Sequence, residues 1–169
     1  NIFSNNKHSI KDGVFIFDES DDYTSNFGSQ WKDFQQVQID SLNQNNISQK
    51  FLQRILFNDE NILKNKNILE IGCGAGRFTE YLVKHANLCV SVDLSTAIFH
   101  NVSKGDKNLI LVKADIMRLK NKFKFDIVFC RGVIQHTPDP FLTIKLLHNF
   151  INEDGTIFFD IYKMPKFGL

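Results

Sequence analysis

The sequence predicts an α/β fold, a doubly wound and mainly parallel sheet with helices on both faces. Three observations carry this. From residue 67 onward, short apolar runs alternate with stretches of helical periodicity, the pattern of successive βαβ units. The first run, with Ile68, Leu69 and Ile71, leads straight into Gly72, Gly74 and Gly76 and then into a helical pattern. The later runs close on polar residues: Asp93, Asp115 and the pair Arg131-Gly132. Strand, glycine turn and helix is how a Rossmann-like fold brings bare backbone up to a ligand.

The elements follow in order. Residues 1–25 have little periodicity, apart from a short strand at 13–17 and an acidic run at 18–22 that reads as a solvated turn. Phe27, Trp31, Phe34 and Val37 recur at helical spacing, which predicts a helix within 27–42. A second helix, 48–57, puts Phe51, Ile55 and Leu56 on one face. Residues 1–60 are expected to form an arm and helices packed on a core of 61–169, within one structural domain. In that core, strands are expected at 68–72, 88–92, 109–112, 125–130 and 156–162, with helices at 77–86 and 95–103. A further helix begins at Thr137-Pro138-Asp139-Pro140, with Thr137 as N-cap and Pro138 at the first helical position. It should turn Phe141, Ile144, Leu147 and Ile151 inward, and 152–155 should then turn the chain into the last strand. Right-handed crossovers place strand 68–72 near the middle and bring 125–130 back on its other side. The switch point lies between those two strands, at their C-terminal ends, where ligands bind in such sheets.

Bulk properties narrow the partners. The length of 169 residues suits one domain with a sizeable core. A net charge of +1 offers no global field for nucleic acid or an anionic membrane, although 104–124 is locally basic, most simply as a solvated face. No apolar run is long enough to span a bilayer, and the first residues do not read as a signal peptide. The cytoplasm is therefore expected; the chain does not begin with Met, so a fragment or a lost leader stays open. Cys73, Cys89 and Cys130 are too irregularly spaced for a disulfide framework or a zinc site and read as buried thiols. His8, His85, His100 and His148 are scattered, and no metal site is expected.

The glycine spacing bears on which nucleotide sits at the switch point. A dinucleotide fold wants Gly-x-Gly-x-x-Gly; here the third slot is Arg77, and Gly76 makes the pattern Gly-x-Gly-x-Gly. Asp93 follows Gly76 by 17 residues, about where an acidic residue takes a ribose. A carboxylate there accepts strong, directional bonds from ribose hydroxyls. The competing reading makes Asp93 the N-cap of the following helix, a role open to Ser95 as well.

With Glu70, the glycines, Asp93 and Asp115 in this order, residues 68–162 resemble the class I S-adenosylmethionine-dependent methyltransferases. The resemblance implies that Glu70, Gly72, Cys73, Gly74 and Gly76 hold the methionine and ribose portions of S-adenosylmethionine, and later of the product S-adenosylhomocysteine. It implies that Asp93, with Leu94, binds the ribose, and that Asp115 and Ile116 flank the adenine. Arg131 and Gly132 would lie at the methionine end, with Gln135 and His136 beside the acceptor. The stretch Val-Ile-Gln-His-Thr-Pro-Asp-Pro at 133–140 and Phe-Gly-Ser-Gln-Trp-Lys-Asp-Phe at 27–34 resemble one subgroup, whose N-terminal arm folds over the cofactor. Trp31 would then be a lid, or else a core residue beside Phe34.

The family's sheet has seven strands, the last two a hairpin beside the fifth. This chain stops at Leu169, so the sheet is expected to be truncated after the strand at 156–162. That strand would be an edge, covered by the tail, by a missing C-terminal segment or by another copy in a homo-oligomer. Methyl transfer needs alignment more than acid–base chemistry. His136 is the candidate general base, with pocket shaping and a purely structural role as alternatives. The acceptor class is a small molecule, a lipid precursor or a glycan. A catalytically silent cofactor-binding or scaffold domain is the alternative, and a nicotinamide-dependent oxidoreductase is disfavoured by the glycine spacing.

Overall fold

Ile68 and Leu69 are neighbours on one strand and point to opposite faces, and each face carries its own core. The computed structural model describes residues 8–17, 38–119 and 123–162. Its strands are β1 (Ser9–Lys11), β2 (Val14–Ile16), β3 (Asn67–Ile71), β4 (Leu88–Asp93), β5 (Leu109–Lys113), β6 (Phe125–Cys130) and β7 (Ile151–Phe159). They form one seven-stranded sheet in the order β1-β2-β5-β4-β3-β6-β7. Every pairing is parallel except β1 with β2. β3 is central, β4 and β5 lie on one side and β6 and β7 on the other, as the crossover rule predicts.

The helices are α1 (Asp40–Asn43), α2 (Ile47–Ile55), α3 (Thr79–His85) and α4 (Pro140–Leu147), among the described residues. Leu52 of α2, Leu56 just after it and Leu82 of α3 pack on Ile68, Ile127 and Phe129. On the opposite face Leu147 and Phe150 pack on Leu69, Val90 and Val128. Residues 68–71 are all buried, as befits an interior parallel strand covered on both sides. No helix among the described residues is long and apolar enough to cross a membrane.

Several boundaries differ from the sequence reading. The expected strand at 13–17 is half of a hairpin, β1 and β2, which adds itself to β5. The expected helix at 95–103 is only a 3₁₀ turn, Thr96–His100. It stops because Val102 N–H donates to Ala75 O at 2.9 Å and the Asn101 amide donates to Thr79 Oγ1 at 3.1 Å. The helix after β6 starts later than expected. Asp139, not Thr137, is its N-cap, accepting from Leu142 N–H at 2.9 Å, and Pro140 is its first residue. The reason is steric: Thr137 and Asp139 each precede a proline and are held extended. The delayed start turns Thr143 and Leu147 to the sheet and leaves Phe141 80% exposed. The expected turn at 152–155 lies inside β7, where the register jumps from Phe125↔Ile151 to Ile127↔Thr156. A Cβ at Gly155 would sit 2.5 Å from Ile151 Cγ1, so the looped-out segment needs glycine there. The last strand ends at Phe159, and β7 pairs only with β6 among the described residues.

Candidate functional site

The C-terminal ends of β3, β4, β5 and β6 converge on a cleft open to solvent. Such strand ends are where small-molecule sites form in sheets of this kind. Gly72 and Gly74 line it from β3, Asp93 and Leu94 from β4, Asp115 and Ile116 from β5, and Gly132 and His136 from beyond β6. These sequence-predicted residues, far apart in the chain, share one wall-to-wall space.

The glycines act differently from a phosphate cradle. Gly72 and Cys73 N–H both donate to Val92 O, at 2.7 and 3.2 Å, and Gly74 N–H donates to Asp93 Oδ2 at 2.7 Å. These amides are therefore spent on β4 rather than offered to a ligand. What the glycines supply is conformation and room. Gly72, Gly74 and Gly76 all have positive φ, of 78°, 52° and 101°. A Cβ on Gly72 would overlap Val133 Cγ2, and one on Gly76 would lie 2.7 Å from Asn101 Oδ1.

Asp93 is a cleft wall that also holds Ser95, the residue that caps the 3₁₀ turn. Its Oδ1 accepts from Ser95 N–H at 2.8 Å and from Ser95 Oγ at 2.7 Å. With Gly74 on Oδ2, one acceptor position on that oxygen remains. Desolvation raises its pKa, against the bonds from Ser95 and Gly74 and the charge of Lys113. Asp115 Oδ1 accepts from Met117 N–H at 2.9 Å, and Arg118 Nε stands 3.6 Å from Oδ2.

Glu70 is not at the cleft. It is 2% exposed, and its Oε2 accepts from Thr79 Oγ1 and Ser91 Oγ, both at 2.7 Å. Thr79 accepts in turn from Asn101, so a buried polar chain ties β3, β4, α3 and the 3₁₀ turn beneath the glycine loop. Burial raises the Glu70 carboxyl to about 7, more than the two hydroxyl bonds lower it.

A second cavity adjoins the first across Gly72, Gly132 and His136. Cys73 and Arg131 line this one, not the first. Cys73, Cys89 and Cys130 are buried free thiols whose pKa values burial pushes up. His136 Nε2 is 2.7 Å from Tyr162 Oη. Gln135 lines neither cavity; its amide atoms are enclosed without a hydrogen-bond partner among the described residues. Gly76 lines neither as well, and Trp31 with the rest of 18–37 lies outside the described residues. No group of His, Cys, Asp and Glu suited to a metal occurs among the described residues. Sequence reasoning missed Ser95 and Thr137 in the cleft, and Gln38, Asp160 and Tyr162 in the second cavity. Asp160 was findable: it closes β7 as Asp93 closes β4.

The character of the first cleft tests which cofactor fits. Its apolar wall comes from Ile71, Val92, Ala114, Ile116 and Val133. It has two carboxylates and, among the described residues, no Lys or Arg. A pyrophosphate would meet negative charge and occupied amides there. A nucleoside whose only charge near the reacting atom is a sulfonium fits. Residues 42–165 match the methyltransferase-domain family. This chain belongs to that family. The methyltransferase domain is 33% identical over 102 residues to a ubiquinone biosynthesis O-methyltransferase of Coxiella burnetii, covering 57% of this chain and 44% of that protein. It spans about half the length of such relatives, 52% of one from Pseudomonas entomophila that is 27% identical. Its fold is similar to phosphoethanolamine N-methyltransferase 1 of Haemonchus contortus (TM-score 0.65, 22% identity, 82% of this chain and 31% of that one). It is similar also to DhpI, solved in a complex with SAM and HEP (TM-score 0.62, 16% identity, 84% and 67%).

Proposed function

We propose that this domain is an S-adenosylmethionine-dependent methyltransferase acting on a small molecule or lipid precursor. One observation carries the reading: a single cleft joins side-chain-free glycine backbone, an apolar wall and two carboxylates, without Lys or Arg among the described residues. Membership of the methyltransferase-domain family supports it. Relatives named for ubiquinone biosynthesis favour an oxygen acceptor on a lipid precursor over a glycan.

In this reading Asp93 uses the open position on Oδ2 for a ribose hydroxyl, and Leu94 packs beside it. Asp115 and Ile116 hold the base at the end of β5. Gly72 and Gly74 leave room for the methionine portion. Glu70 and Gly76 act at one remove, by holding the loop from beneath. S-adenosylmethionine, when bound, supplies a methyl group on a good leaving group. The protein's task is then to align the acceptor and keep water out. His136, at the boundary of the two cavities, is placed to accept a proton from a hydroxyl acceptor, with Tyr162 fixing its ring. Three buried free thiols suit a reducing cytoplasm. We further propose that the outer edge of β7 is covered by a following segment or a second copy, since Phe159 and Ile161 are exposed beside it.

The test is incubation of the chain with S-adenosylmethionine carrying a CD₃ group and a panel of phenols, catechols and amines, with and without carboxylate or phosphate substituents. Mass spectrometry should find one CD₃ group on an oxygen acceptor and an equal amount of S-adenosylhomocysteine. Tight cofactor binding with no transfer to any acceptor would instead identify a cofactor-holding scaffold.

A further inference from the structure

The two cavities have opposite charge. The second has a volume of about 290 Å³, and Arg77 and Arg131 both line it. Arg131 is compensated: its Nη1 lies 2.8 Å from Asp160 Oδ2, and its guanidinium stacks 3.7 Å from the Phe51 ring centre. The other oxygen of Asp160 accepts from Gly132 N–H, so both oxygens of that carboxylate are partnered within the Arg131-Gly132 segment. Arg77 has no such counter-ion among the described residues. Its Nε donates to Ser48 Oγ at 3.0 Å and its Nη1 to Gln38 Oε1 at 3.3 Å, both neutral acceptors. Asp40 favours its charge from a distance, while the oxygens of Asp40 accept from Ser48 N–H, Gln49 N–H and Tyr81 Oη. Desolvation and the nearby Arg131 both press the Arg77 pKa down, the mark of a cation among too few negative charges. Two guanidiniums and one carboxylate line the cavity, and that carboxylate is paired with Arg131. A partly buried guanidinium left with neutral acceptors alone is arranged for an incoming oxyanion.

We infer that the second cavity is the acceptor pocket and that Arg77 binds an oxyanion, a carboxylate or phosphate, carried by the methyl acceptor. The inference rests on the reading of the first cleft as the S-adenosylmethionine site. Gly72, Gly132 and His136 are the shared boundary at which the methyl group would cross. Arg77 therefore acts as a specificity residue, selecting acceptors by a charge remote from the reacting atom.

The test is a titration of the S-adenosylhomocysteine-saturated chain with inorganic phosphate and with acetate, followed by nuclear magnetic resonance. It is run on the unmodified chain, Arg77→Gln and Arg77→Lys, with S-adenosylhomocysteine affinity measured by calorimetry in parallel. Saturable anion binding is expected, weakened about tenfold or more in Arg77→Gln and partly restored in Arg77→Lys. Affinity for S-adenosylhomocysteine should change by less than about threefold in either variant. Absent anion binding, or binding equal in Arg77→Gln, overturns the inference. So does a loss of about tenfold in S-adenosylhomocysteine affinity, which would give Arg77 to the cofactor's own carboxylate. A chain that binds S-adenosylhomocysteine but no anion contradicts this inference alone; one that binds no S-adenosylhomocysteine contradicts the underlying reading as well.

Discussion

Glu70 is a carboxyl group whose ionisation the fold opposes. Its pKa rises from 4.5 to about 7 because burial outweighs the bonds from Ser91 and Thr79. Between those values the folded chain binds more protons than the unfolded chain, so stability falls as pH rises through the window. The full effect is about 3 kcal/mol by the linkage relation. Glu70→Gln keeps an acceptor for both hydroxyls and removes the charge. The unmodified chain should therefore show a fall in denaturation midpoint from pH 5 to 7.5, and the variant should lose it. Parallel pH profiles of the two proteins would contradict this. The sequence could not separate Glu70 from the ligand-facing residues, because strand alternation alone does not tell which face the cleft will occupy. It could bring Gly72, Asp93, Asp115 and Gly132 to one cleft, because the end of a parallel strand has only one place to go.

At the scale of elements, sequence reading did best where one rule governed and failed where two rules met. The apolar runs that became β3 to β6 are continuous because these interior strands are largely buried on both faces, whereas β7, at the sheet edge, is mostly half-buried or exposed. The start of α4 was misplaced because capping preference and proline sterics disagree at Thr137, and sterics won. Asp139 therefore carries the cap. Asp139→Ala should cost about 1 kcal/mol and speed amide exchange at Leu142 and Thr143, with β3 amides unaffected. Equal exchange in both proteins would return the cap to another residue. The 3₁₀ turn at Thr96–His100 was illegible for a different reason. The glycine loop takes Val102 N–H for itself, a contact across the sequence that no local periodicity encodes.

For the whole molecule, the account turns on how charge is divided. The chain as a whole is nearly neutral at +1, which excludes a field but hides its local arrangement. The fold sorts its charge into an acidic cleft over β4 and β5 and a basic cavity beside β6 and β7. Only the topology, with β3 between the two halves, brings those regions to one boundary. The most direct test of the cleft assignment is calorimetric titration of the chain and of Asp93→Asn with S-adenosylhomocysteine and with NAD. The account predicts one S-adenosylhomocysteine per chain, affinity weakened about 10- to 100-fold in Asp93→Asn, and no measurable NAD binding. NAD binding tighter than S-adenosylhomocysteine, or S-adenosylhomocysteine binding indifferent to Asp93→Asn, would contradict it.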